Sequence, residues 1–304
     1  MHDPINTAIQ IVVVLLLPPL LQGVIGKTKA LFAGRMGPPF LQQYYDLFKL
    51  FQKDSVFSTT TTWIFRAGPV VALVTAFVAA LFIPMGSPRS AVSFVGDPIV
   101  LAYVLGLSRF FTTSAALDTG SPFEGMGAAR EVTFACLAEP ALFLGLLVIA
   151  NLTGSLQLDT MLGTVTDHWS TEGASLALVL TGWSIVLLAE NCRIPFDDPN
   201  THLELTMIHE VMVLDHSGPA FGMILYGASM KLLIFSALVV RLLIPLTGQG
   251  PWLDWPLFIA GALVVAVLVG VMESSMARLR LTHVPALLIS ACMLSAFGFV
   301  LLMR

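Results

Sequence analysis

Charged side chains are scarce in this sequence. Fifteen Lys or Arg and nineteen Asp or Glu among 304 residues amount to 11%, where soluble domains carry about 25%. With 56% apolar residues, a soluble chain would have more apolar surface than one core can hide. A bilayer absorbs it in spans of roughly 20 residues. The net charge of −4, with neither a basic nor an acidic tail, argues against nucleic acid or acidic lipid as the main partner. Cysteine is nearly absent. Cys136, Cys192 and Cys292 stand singly with no C-x-x-C pair, whereas iron–sulfur clusters and nickel sites need grouped thiolates. No cofactor and no catalytic centre are therefore expected in this chain alone. A basic n-region and an A-x-A cleavage site are also missing, so the first apolar run reads as a retained span. There is no internal repeat, low-complexity tract or insertion of soluble-domain size, and one polytopic membrane domain over 1–304 is the expectation.

What is present in abundance is long apolar runs. Eight mark candidate spans at 5–26, 67–85, 97–116, 132–151, 174–191, 219–245, 256–272 and 282–302. Pro18, Pro19, Pro84 and Pro140 fall inside them or at their ends, which spanning helices tolerate when neighbours satisfy the freed carbonyls. The expected class is thus an all-α integral membrane protein. Lys27, Lys29, Arg35, Lys49, Lys53, Arg66, Arg130, Arg193, Arg278 and Arg280 belong to one side; only Arg89 and Arg304 belong to the other. The positive-inside bias places both termini outside, with inner loops at about 27–66, 117–131, 192–218 and 273–281. Residues 40–53 read as an amphipathic helix on the inner side. Phe40, Tyr44, Leu47 and Phe51 line one face, and Gln42, Asp46, Lys49 and Lys53 another. It either lies under a docked subunit or seals the bundle edge.

Ionisable groups inside the spans carry the functional signal. Arg109, Glu139 and Lys231 lie well within their runs; Glu190, Arg241 and Glu273 lie nearer the ends. A central charge costs ~3 kcal/mol on insertion scales and each strongly apolar residue returns roughly 0.3 to 0.6. The ten such residues around Glu139 return about 3 to 6 kcal/mol, little more than one carboxylate costs. Glu131 and Glu139 are eight residues apart, on roughly the same side of one helix and about 12 Å apart along it. Two readings follow: stations in a proton relay, or a static pairing of Glu139 with Arg109 or Lys231.

A second acidic concentration runs from Glu190 through Arg193, Pro195, Asp197 and Asp198 to Glu204, Glu210 and Asp215. Pro195 is expected to break the helix as it leaves the membrane, with Arg193 pairing to Asp197 across the turn. Such an acidic funnel attracts protons or a basic surface, or is simply a solvated loop. His202, His209 and His216 recur every seven residues, ~10 Å apart on a helix, too far to share a metal. Asp198 and His202 make one pair without a second, so no metal site is expected. Gly34, Gly37 and Pro38 in GRMGPP predict a turn or a close backbone approach, not a phosphate loop.

Three segments in order, KTKALFAGRMGPPFLQQYYDLFKLFQKD, AAREVTFACLAEP and LAENCRIPFDDPNTHLEL, resemble the complex I subunit 1 family. GRMGPP, YYDLFKL, SPFEGMGAARE and MIHEVMVLDHSGP resemble its hydrogenase branch, the anchor subunits of formate hydrogenlyase and hydrogenase-4. The resemblance implies a proton-path anchor on which the large and small subunits of a [NiFe]-hydrogenase and an iron–sulfur subunit dock from the cytoplasm. Their nickel–iron and iron–sulfur centres would lie in those partners. It also implies contact with antiporter-like membrane subunits, in a bacterial or archaeal cytoplasmic membrane. On matching motifs, Glu139 and Glu190 correspond to acids of the proton-path entrance, and Arg193, Asp197 and Glu204 to the inner-loop cluster. Arg35, Gly37, Asp46 and Lys49 fall in the segments implied for docking.

The sequence departs from the quinone-reducing relatives. Asn200 and His202 stand where these carry acids, and Met212 and Val213 where they have a Glu-Tyr pair, with Glu210 two residues earlier. These changes count against quinone reduction and suit a hydrogenase. A quinone-binding complex I subunit is the alternative reading. A stand-alone transporter is disfavoured because no inverted repeat or pair of broken helices is visible.

Overall fold

The computed structural model describes residues 4–197, 207–245 and 251–303. Within them the chain is helical, with no strand. In order come α1 (Pro4–Phe32), α2 (Gln42–Phe51), α3 (Trp63–Leu81), α4 (Asp97–Asp118), α5 (Pro122–Thr153), α6 (Leu158–Thr164), α7 (Trp169–Glu190), α8 (Gly218–Leu243), α9 (Pro251–Ser275) and α10 (Val284–Leu302). A 3₁₀ turn, Val165–His168, joins α6 to α7, and another, Glu210–Val213, precedes α8. Among the described residues, eight stretches are long and apolar enough to cross a membrane, α6 and α7 together making one. Even the 19 residues of α3 or α10 reach about 28 Å at 1.5 Å per residue. The expected class and span count hold.

α8 is the axis of the bundle. From Ser229 to Leu242 nearly every residue is buried, as suits a helix apolar on all sides. α1, α3, α7 and α9 pack around it, and α10 closes against α5 and α7. Small residues set the approach: a Cβ on Gly182 of α7 would lie 2.8 Å from Ser295 Oγ of α10. Close backbone approach of this kind is how helices associate where lipid removes the hydrophobic drive.

Two expected inner loops are partly helical. α1 continues to Phe32 and so includes Lys27 and Lys29, assigned above to the 27–66 loop. α5 begins at Pro122 and takes up most of the expected 117–131 loop. Hydropathy ends each run at its first charges, but a helix continues wherever those charges find partners. Lys27 Nζ donates to Met36 O at 2.6 Å, Glu124 Oε1 accepts the Asp215 N–H at 3.0 Å, and Arg130 donates to Met207 O at 2.9 Å.

The amphipathic helix is present as α2, but its buried face is narrower than the pattern predicts. Leu47 is buried and the Tyr44 hydroxyl donates to Leu16 O of α1. Phe40 and Phe51, expected on that face, remain 49% and 45% exposed, and Tyr45 and Phe48 point outward. Leu50 seats against α8 at Gly222. The predicted GRMGPP turn forms, with Gly34 and Gly37 at φ +65° and +64°. A Cβ on Gly37 would strike Ala30 of α1, so this position combines left-handed backbone with close contact.

Candidate functional site

Four spans deliver charge to one point. Arg109, midway along α4, projects toward α5 and α7. Its guanidinium hydrogen-bonds Glu139 of α5 and forks onto both oxygens of Glu190 at the end of α7, at 2.8 and 2.9 Å. Its Nε lies 3.8 Å from Glu131 of α5. Lys231 of α8 closes the far side of Glu190 at 2.7 Å. One guanidinium thus serves three carboxylates, and Glu190 is shared by two cations. A low-dielectric setting strengthens each pair and makes the loss of any member costly. Glu131 and Glu139, expected as relay stations, both lie against Arg109. The static pairing of Glu139 with Arg109 is therefore present. Glu139 is nevertheless the open member: its side chain is 43% exposed, against 7% for Glu190.

The end of α7 is built by a Schellman motif. The Arg193 N–H bonds to Leu188 O at 2.9 Å and the Cys192 N–H to Ala189 O at 3.1 Å, with Cys192 left-handed at φ +49°. Glycine normally holds that position, and a side chain there costs roughly 1–2 kcal/mol. Helix termination thus precedes Pro195, which was expected to cause it. The expected Arg193–Asp197 pair does not form either. Arg193 reaches back to Glu273 of α9 at 3.3 Å and to Gln22 of α1, while Asp197 takes Arg278 at 2.9 Å. Asp197 also accepts the Ile208 and His209 N–H groups at 2.9 and 3.3 Å. The turn aims the two side chains apart, toward different helices.

Glu273, noted in the sequence only as a charge near a span end, is the buried hub of this inner cluster. Lys29 lies 2.8 Å from it on the side opposite Arg193. Its partners lie on other segments, Arg193 at a separation of 80 residues and Lys29 much farther along the chain, so no local pattern signals the pairing.

Two cavities join these clusters. The smaller, about 710 Å³ with its mouth, is lined by Arg109, Glu131, Glu190 and Lys231. The larger, about 2070 Å³ with its mouth, is lined by Lys29, Arg35, Gly37, Arg193, Asp197, Glu210 and Glu273. Asn191, Cys192 and His209 line both. The walls of both are largely apolar, with charged and polar side chains set among them, and buried water needs such groups as its partners. Asp46 accepts a hydrogen bond from Gln42 at 2.9 Å and Lys49 is exposed, both on α2 outside these cavities. Glu204, and with it Asp198, Asn200 and His202, lies outside the described residues. Met212 and Val213 are buried.

No metal site follows from the histidine spacing, yet the fold assembles a group that could hold one. Ligand atoms of Glu131, Cys192 and His209 lie within 4.8 Å of one another. Burial, with Glu131 and Asp197 nearby, raises the Cys192 thiol well above its usual range, and burial lowers the His209 imidazole. The histidine spacing gives no sign of this group, because the three residues come from α5, the turn after α7 and the loop before α8.

His216 stacks on Phe65 at 4.0 Å between ring centroids, and burial pushes its pKa down to about 4. The folded state thus binds fewer protons than the unfolded state between about 4 and 6.5. Stability contributed by this site is full above pH 6.5 and is lost as pH falls toward 4. The melting temperature of the solubilised protein should drop between pH 7 and 5, and His216→Phe should flatten that slope.

The sequence profile of the family described as NADH dehydrogenase matches residues 5–304. Formate hydrogenlyase subunit 4 of Escherichia coli (strain K12) is 33% identical over 290 residues, covering 91% of this chain and 91% of that one. Hydrogenase-4 component C of the same organism is 33% identical over 279 residues, covering 89% and 87%. A chain in the structure of the membrane-bound sulfane sulfur reductase, an archaeal respiratory membrane complex, aligns with TM-score 0.84 over 98% of both chains. At 21% identity that likeness establishes the fold alone.

Proposed function

The chain belongs to the NADH dehydrogenase family, and on that premise we propose that it is the anchor and proton-path subunit of a group 4 membrane-bound [NiFe]-hydrogenase complex. The reading is supported by two relatives named as a formate hydrogenlyase subunit and a hydrogenase-4 component, each matched over most of its length. The observation that carries the proton path is Arg109 held among three carboxylates beside two adjacent cavities that share Asn191, Cys192 and His209.

In this account, the hydrogenase large and small subunits and an iron–sulfur subunit dock on the inner side, over Arg35, Gly37 and α2. Nickel, iron and clusters belong to those partners, which supply the electron chemistry. The three cysteines here lie on α5, on the turn after α7 and on α10, and offer no cluster-binding set. Docked subunits press on the segment around Asp197, His209 and Glu210, which line the larger cavity. Protons enter that cavity, pass Cys192 and His209, and reach Glu131 and Glu190. Protonation of one carboxylate releases Arg109 toward the others, so charge moves without leaving an ion stranded. Glu139, open on the side of α5, faces an antiporter-like subunit in the plane of the membrane. A carboxylate at that depth is too costly to leave to lipid. The membrane is a bacterial or archaeal cytoplasmic membrane, with both termini outside.

The test is isolation of the complex through a tag on this chain, followed by its reconstitution into vesicles. H2 oxidation with an artificial acceptor should move protons across the membrane in addition to the two that each H2 releases on the hydrogenase side, and quinone-site inhibitors should leave turnover unchanged. The quinone-binding alternative draws on the size of the larger cavity. Quinone reduction that those inhibitors block would establish it and remove the hydrogenase reading.

A further inference from the structure

The neck between the cavities holds a donor set that the proton path alone does not require. We propose that Glu131, Cys192 and His209 form a binding site for a divalent cation of the zinc class, one that closes the neck when filled. Their ligand atoms lie within 4.8 Å of one another. Around tetrahedral zinc, ligand atoms stand about 3.5 Å apart. Closure thus asks for shifts of about 1 Å, within the reach of side-chain rotation.

Three further observations point the same way. The backbone holds Cys192 at φ +49°, where glycine is the usual choice, and a glycine would remove the sulfur from the neck. Asn191, the preceding residue, lines both cavities, and its buried Oδ1 has no hydrogen-bond donor among the described residues. It is an acceptor left over for a water that would complete the coordination. The local charge also favours a cation. Glu131, Glu139 and Glu190 outnumber Arg109 and Lys231, the two cations paired with them.

One imidazole, one sulfur and one carboxylate suit zinc better than calcium or magnesium, which take all-oxygen shells. Three protein ligands leave a fourth position open to water, and that position faces the cavities. A metal bound through Glu131 draws that carboxylate from Arg109 and blocks the passage. The blocking rests on the proton-path reading; the site itself does not.

The test uses the whole complex in its membrane, with Cys136→Ala and Cys292→Ala so that Cys192 is this chain's only thiol. The rate of maleimide alkylation at Cys192 is read from its peptide by mass spectrometry. Zinc should slow it at least about tenfold, and a chelator should restore it. Glu131→Gln and His209→Gln, each measured against its own zinc-free rate, should lose at least about tenfold of the protection, the scale on which altered metal shells lose affinity. An unchanged rate with zinc, or protection that survives both substitutions, overturns the site. A second readout needs no reactive thiol. After gel filtration, the complex should retain one zinc more per chain than its Cys192→Ser variant, and equal contents refute the proposal. Neither measurement involves ion movement, so failure of the proton path would not disturb it.

Discussion

Arg109→Gln should all but remove the chain from the membrane. The guanidinium is 13% exposed and contacts Glu131, Glu139 and Glu190 together. Glutamine leaves three carboxylates with one cation, Lys231, between them. Breaking a buried pair by deleting one partner costs about 3–5 kcal/mol, a large part of the stability of most domains. Steady-state level in the membrane and resistance of the solubilised chain to heat are the readouts. Arg109→Gln combined with Glu139→Gln should recover part of the loss, because one stranded anion is then removed while Lys231 still holds Glu190. A single variant as abundant and stable as the wild type would show that Arg109 does not organise the site.

Glu139→Gln should have the opposite profile. Glu139 is the open carboxylate, and Arg109 keeps Glu190 and Glu131 when it is replaced. Partly exposed pairs contribute about 0–1 kcal/mol, so assembly and H2 turnover should persist. Proton movement should fall by roughly 10²-fold, the lower end of what a positioned proton-transfer group contributes. Vesicles reconstituted with the complex permit both readings on one sample: H2 consumption and acidification. Transfer of protons across the membrane, beyond the two that each H2 releases, that stays normal in the variant would remove Glu139 from the path.

The spans, the inner-side helix and the GRMGPP turn are legible in the sequence because each is a local matter of apolar length, amphipathic period or glycine backbone. Arg109, Glu139, Glu190 and Lys231 are legible for a related reason: charges among apolar residues are costly wherever they end up. What escapes is the pairing. Nothing local joins Lys29 and Arg193 to Glu273, or Glu131 to Cys192 and His209, since these contacts join separate helices and loops. Asp197 looked like the partner of Arg193 because it is four residues away. The Schellman turn sends one side chain toward α9 and leaves the other for Arg278. Helix ends were misplaced where hydropathy stops but hydrogen bonding does not, as at Glu124 and Arg130.

The central claim is that the carboxylates around Arg109 change protonation or partner as the complex works. Infrared difference spectra of the reconstituted complex, recorded on switching from argon to H2, read this directly. A signal in the protonated-carboxyl stretching region should appear and be lost in Glu139→Gln. Spectra with no carboxyl signal there, or with one that Glu139→Gln leaves intact, would reduce the charged cluster to a fixed strut between helices.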